Sequence, residues 1–298
     1  MHLQDDPDIE GVCRISADPG WPRPWLAVVG SLHGNEPCGV QALSQLRRAA
    51  QAGGLASLRG TLLLVHGNPE ATRQGARFTE HGCDLNRLFD YAFEHELSAD
   101  AYRYEHGRAL ALRPLVDDVD GLVDLHSSTT ASPAFAIATE LPASAALAAR
   151  LGLDHVVRGW HGPGMLGHRV LLAPLDGRGV PSVAVECGQH DEPTAADVAH
   201  RAALCFLRAL GGLPADAPAA EPPRWLRIHD AIRKPSTRFR FDGPIAGFDR
   251  LSQGRCIGHD GLIAVDVRGD CTAVLPNDGV DAGDDMLFLA TDDRQPHP

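Results

Sequence analysis

The chain has 298 residues, is 44% apolar and 22% charged, and carries a formal net charge of −12. This is the composition of a globular protein with one large domain, or a core plus a smaller domain, and its acidity argues against nucleic acid or an anionic membrane as partner. Seven cysteines with no Cys-x-x-Cys pair, an acidic N-terminus without an apolar signal core, and no apolar run near the ~20 residues that span a bilayer lead us to expect a reduced, cytoplasmic protein with no membrane partner.

Residues 25–30 (WLAVVG) form a short apolar run of the kind that makes a buried strand. A tight polar turn follows at 31–36 (SLHGNE), in which Gly34 and Asn35 tolerate unusual backbone angles. Pro37 suits the first turn of a helix, and Val40, Leu43, Leu46 and Ala50 recur at helical spacing behind it. Residues 60–71 repeat the strand-then-turn pattern, and the polar segment 77–90 reads as a surface covering. A helix is expected over 98–115, with Ser98 as its cap and Pro114 near its end. Strands follow at 121–128 and 134–139, an alanine-rich helix at 142–151, a Gly- and His-rich loop or lid at 158–169, a strand at 181–188 and a helix at 194–210 stopped by Gly211 and Gly212.

Strands alternating with helices predict an α/β fold, with a mixed, largely parallel sheet flanked by helices over residues 1–212. Residues 213–224 read as a Pro/Ala-rich linker. Residues 225–298, short apolar runs broken by Gly, Asp and Pro, read as a small C-terminal all-β domain.

His33, Glu36, His126 and Glu186 all fall at the carboxyl ends of expected strands, where open α/β sheets bind ligands. Taken singly, each has an ordinary structural explanation, and a lone His-x-x-Glu is a weak signal. Together, two histidines and a carboxylate make the ligand set of a catalytic zinc with water in the remaining position. Glu186 then supplies the separate carboxylate that takes a proton from water and returns it to a leaving amine. Asp124, two residues before His126, shares its strand face and is a candidate partner for the imidazole. Cys38 and Cys187 flank these residues but read as small packing side chains.

Five short motifs now stand in order: His-Gly-Asn-Glu at 33–36, Asn-Pro at 68–69, Asp-Leu-Asn-Arg at 84–87, Asp-Leu-His at 124–126 and Glu-Cys-Gly at 186–188. The chain thereby resembles the succinylglutamate desuccinylase/aspartoacylase family, a branch of the zinc carboxypeptidase-like hydrolases, over roughly residues 25–210. The resemblance implies one Zn2+ per chain held by His33, Glu36 and His126, with Glu186 as general base and acid. It further implies that Asn86 and Arg87 hold a substrate carboxylate or acyl group and that Arg77 polarises the scissile carbonyl. A planar guanidinium suits such roles. Arg77 lies further from Asn86 than in the family pattern, with an insertion around His81 to Cys83. The arginine that the family places shortly before its catalytic glutamate has only Arg169 and Arg178 as loose counterparts. The substrate-binding tyrosine of the family's C-terminal domain has no counterpart, since the tyrosines here are Tyr91, Tyr102 and Tyr104.

The expected activity is hydrolysis of the amide of a small N-acyl amino acid. Its rivals are a zinc carboxypeptidase acting on peptides and a non-catalytic metal-dependent binding protein, and Glu186 argues against the latter. Self-association is left open.

Overall fold

The apolar run at 25–30 is an inner strand of a 12-stranded sheet in the computed structural model, which describes residues 1–160, 169–215 and 221–293. In chain order the elements are β1 (His2–Asp5), β2 (Val12–Ser16), β3 (Trp25–Gly30), α1 (Pro37–Gln51), β4 (Thr61–His66), α2 (Pro69–Gln74), α3 (Phe93–Glu96), α4 (Tyr104–Asp118), β5 (Gly121–Ser128), β6 (Phe135–Ala138), α5 (Pro142–Ala148), β7 (His155–Arg158), α6 (Ala173–Gly177), β8 (Ser182–Gln189) and α7 (Ala195–Ala209). Strands β9 (Arg224–Arg233), β10 (Arg240–Phe241), β11 (Arg250–Leu251), β12 (Cys256–Asp260), β13 (Ile263–Asp266), β14 (Cys271–Val274) and β15 (Asp285–Asp292) complete the chain. No helix among the described residues is long and apolar enough to cross a membrane.

The main sheet runs β1-β2-β4-β3-β5-β8-β6-β7-β9-β15-β14-β11. Its centre, β4-β3-β5-β8, is parallel, while β2 and β6 join it antiparallel. This is the mixed α/β sheet expected from the alternating pattern. Leu26 and Val28 face Leu46 of α1 and Phe206 of α7 on one side, and Ala27 and Val29 face Leu112 of α4 and Leu175 of α6 on the other. Burial on both faces is why β3 is a continuous apolar run. Helix α1 leaves β3 at backbone contact distance: a Cβ on Gly30 would lie 2.6 Å from the Gly39 carbonyl carbon. The loop between them is held short by that approach.

Four features differ from the expectations. Strands β1, β2 and β7 were not legible, being short and without sustained alternation. The helix expected from Ser98 begins at Tyr104, where Arg103 N donates to His106 Nδ1 at 2.9 Å, and Ser98 precedes a separate 3-10 turn at Ala99–Ala101. Pro114 lies inside that helix, which runs on to Asp118. Segment 77–90 is not merely a surface covering, because Leu85, Asn86, Leu88 and Phe89 are buried.

Beyond α7 no helix occurs among the described residues. β10, β12 and β13 make a separate three-stranded sheet, and Phe239, Ile257, Met286 and Leu287 form a core of their own. β9 pairs in parallel with β7, so the main sheet continues into the C-terminal region without a break. Residues 216–220 of the expected linker and 161–168 of the expected Gly- and His-rich lid lie outside the described residues.

Candidate active site

At the end of β3 the chain turns through Ser31, whose φ of 55° is left-handed. The left-handed residue of this turn is Ser31 and not Gly34 or Asn35, which would tolerate that angle more readily. Ser31 is held there by its Oγ, which donates to the Glu36 carbonyl at 2.8 Å, and by its own carbonyl, which accepts from Asn68 N at 2.8 Å. Gly34 is needed for space, since a Cβ would lie 2.1 Å from the Ala71 carbonyl carbon. Pro37 opens α1 as expected, and Glu36 is its N-cap, but the Glu36 carboxylate makes no cap bond. It turns instead into the site.

There it meets both histidines. Glu36 Oε1 lies 2.8 Å from His33 Nδ1, and Glu36 Oε2 lies 2.8 Å from His126 Nδ1. All three residues are buried, and one ligand atom from each lies within 4.8 Å of the others. Ser127 N also donates to Glu36 Oε2, at 3.2 Å. The outer nitrogens are fixed by further carboxylates: Asp124 Oδ2 is 2.7 Å from His126 Nε2, and Asp84 Oδ1 is 3.0 Å from His33 Nε2. Such outer partners orient ligating imidazoles. The first was expected from strand periodicity. The second was not, since it joins residues remote in sequence.

Burial works against charge on Glu36, but His33 and His126 hold its carboxyl well below the usual range. Burial likewise opposes charge on His126, and Asp124 and Glu36 reverse this and hold it well above the usual imidazole value. Asp84 is kept low by His33 and Arg77 against its own burial. This cage favours ionised groups around one small volume.

Glu186 stands beside the cage because β5 and β8 are parallel neighbours and His126 is in register with Glu186. Its Oε2 is buried with no hydrogen-bond partner among the described residues. Burial, aided by the nearby Glu36 charge, pushes its carboxyl up to about 7, with His126, His33 and Arg77 pulling the other way. An unpaired buried carboxyl oxygen is costly, and the described residues supply no partner for it. Two buried imidazole Nδ1 atoms and a carboxylate, with this free oxygen adjacent, fit a divalent cation with an open coordination position.

Arg77 points at the same cluster. Its Nη2 donates to Asp84 Oδ2 at 2.8 Å, its Nη1 lies 3.8 Å from Glu36 Oε1, and its side chain is 41% exposed. Asn86 Oδ1 accepts from Leu171 N at 2.9 Å, and Arg87 Nη1 donates to the Asn86 carbonyl at 2.8 Å. Of the two loose arginine counterparts, Arg169 lies 3.1 Å from Asp90, next to this turn, whereas Arg178 is bound to Asp117 and to the Val116 carbonyl on α4 and is turned away. Cys38 and Cys187 belong to the core behind the site, as their packing role requires.

Two residues escaped the sequence reading. Glu105, fully buried on α4, accepts from Thr79 N at 2.8 Å, Thr79 Oγ1 at 3.1 Å, Cys83 N at 3.3 Å and Asn68 Nδ2 at 3.3 Å. It thus anchors the segment that carries Arg77, Asp84, Asn86 and Arg87. His190, just past β8, lies 2.8 Å from Ser127 Oγ. Neither stands in a motif. The one available signal for Glu105 was a carboxylate on the inward face of a helix.

Known proteins resemble this chain in sequence and in fold. The chain is 38% identical over 78 residues to a succinylglutamate desuccinylase of Pseudomonas syringae, a match covering 26% of this chain and 22% of that protein. A similar stretch is 35% identical to the Yersinia pseudotuberculosis enzyme of that name, covering 26% and 23%. The chain thus spans under a quarter of the length of these curated relatives. In fold it is similar to a succinylglutamate desuccinylase from Vibrio parahaemolyticus (TM-score 0.74, 20% identity, 98% of this chain and 90% of that one). It is also similar to the ectoine utilization protein EutE (DoeB) from Ruegeria pomeroyi (TM-score 0.71, 19% identity, 94% and 88%). The model of the succinylglutamate desuccinylase/aspartoacylase catalytic domain matches residues 22–210, most of the chain and all of the site, so this protein belongs to the succinylglutamate desuccinylase/aspartoacylase family.

Proposed function

We propose that the protein is a zinc-dependent amidohydrolase that deacylates a small N-acyl amino acid. The observation that carries this reading is Glu186, a buried carboxylate with an unpaired oxygen set in register beside His126. A binding protein has no use for it, whereas hydrolysis requires a base that is not a ligand.

His33, Glu36 and His126 would hold the ion. When bound, zinc supplies a Lewis acid and lowers the pKa of water towards about 7. Glu186 takes a proton from the attacking water, and the same carboxyl returns it to the leaving nitrogen, so the amide becomes a carboxylate and an amine. Arg77, tethered by Asp84 and partly open to solvent, is suited to stabilise the oxygen on which negative charge develops. Asn86 holds the backbone at Leu171 through its oxygen, and its amide nitrogen makes no hydrogen bond among the described residues. That nitrogen and the Arg87 guanidinium are suited to a substrate carboxylate. The names of the relatives make N-succinyl amino acids the first substrates to try, and Arg77 and Arg87 offer local positive charge for an anionic one despite the net charge of −12.

The test is release of free amine from a panel of N-succinyl and N-acetyl amino acids by protein loaded with one zinc per chain. Turnover of at least one member is expected. Fully loaded protein that hydrolyses none of them would leave the deacylase reading without support.

A further inference from the structure

A second trio of metal-ligating side chains converges far from the motifs. Asp242, Cys256 and His259 offer donor atoms that all lie within 4.8 Å of one another. His259 Nδ1 is 2.9 Å from Asp242 Oδ2, and Cys256 Sγ is 3.9 Å from His259 Nε2 and 4.0 Å from Asp242 Oδ2. Cys256 and His259 lie on β12 of the three-stranded sheet, Asp242 directly follows β10, and all three are exposed.

Their meeting is not an accident of spacing. In a regular strand, residues three apart point to opposite faces, so Cys256 and His259 would be separated by the sheet. β12 carries a bulge at this point: Cys256 pairs with Asp266, but Gly258 pairs with Val265. One extra residue reverses the alternation, the way bulges re-aim side chains. Asp242, directly after β10, is brought in by its own N–H, which donates to the Ile257 carbonyl at 3.1 Å. Backbone pairing therefore sets all three donors.

We propose that Asp242, Cys256 and His259 form a peripheral binding site for a thiophilic divalent cation of the zinc class. A thiolate, an imidazole and a carboxylate, with solvent on the open side, match the tetrahedral preference of such ions. The same set is unsuited to magnesium or calcium, which require oxygen ligands. On binding, the Cys256 S–H bond is replaced by a sulfur–metal bond and the proton goes to solvent, so affinity falls with falling pH. The bound ion ties the end of β10 to β12. It is independent of the buried His33/Glu36/His126 cluster, which contains no thiol.

Protein loaded with one zinc per chain is titrated with Cd2+ and followed by thiolate-to-cadmium charge-transfer absorption and by metal retained per chain. One added ion with the absorption of a single thiolate is expected. Cys256→Ser should abolish the band. His259→Ala and the milder Asp242→Asn should each weaken binding by about tenfold or more, since even the outer partners of metal ligands contribute that much. No band in wild type, an undiminished band in Cys256→Ser, or unchanged affinity in both His259→Ala and Asp242→Asn would overturn the site.

Discussion

Asp84 Oδ1 lies 3.0 Å from His33 Nε2, although the two residues are 51 positions apart. The same carboxylate receives Arg77 on its other oxygen. One side chain thus fixes both the ring proposed to hold the ion and the guanidinium proposed to meet the substrate.

Asp84→Asn should therefore weaken zinc retention by about 10- to 100-fold while leaving the fold intact. Competition with a chelator measures this directly. Affinity equal to wild type would mean that Glu36 and the loop alone orient His33.

Glu186→Gln keeps the shape of the side chain but removes the proposed base. Turnover should fall by about a hundredfold or more with zinc content unchanged. Rates and metal analysis on the same preparation separate this from loss of the ion. A variant that holds zinc and turns over normally would take the proton-transfer role from Glu186.

Glu105→Ala should lower stability by about 3 kcal/mol, because Thr79 N, Cys83 N and Asn68 Nδ2 lose a buried acceptor. Urea denaturation gives the stability, and limited proteolysis should show new cleavage within segment 77–90. Cleavage elsewhere with 77–90 still protected would remove Glu105 as its anchor.

His66 gives the pH prediction. Burial, helped by the Arg108 charge, pushes its imidazole down to about 4, and its Nε2 lies 2.8 Å from Thr72 Oγ1. The unfolded chain binds this proton near pH 6.5, so between about 6.5 and 4 the unfolded state carries more protons. Its contribution is therefore complete above the unfolded value and is lost as pH falls towards 4, amounting to about 3 kcal/mol at most. His66→Gln should flatten the stability curve in that window relative to wild type. Parallel curves for the two proteins would show that His66 does not titrate as its burial implies.

Much of the site was legible because it is written in short local pieces. An apolar run, a polar turn and Pro37 place His33 and Glu36 in one loop, and strand-end positions place His126 and Glu186 on one edge of a sheet. Those signals depend only on backbone preference and periodicity, which act over a few residues. The α/β class followed from the same alternation.

What the sequence could not determine depends on contacts between distant segments. The adjacency of β5 and β8, which sets His126 beside Glu186, is decided by strand order. Asp84 and Glu105 acquire their roles only when α4 and segment 77–90 close over the sheet, because a buried carboxylate is defined by the donors that surround it. The pairing of β7 with β9, which carries the sheet into the C-terminal region, and the bulge that turns Cys256 towards His259 are likewise choices of register. Register is set by which neighbouring strand satisfies each backbone hydrogen bond, and that is known only once the chain has folded.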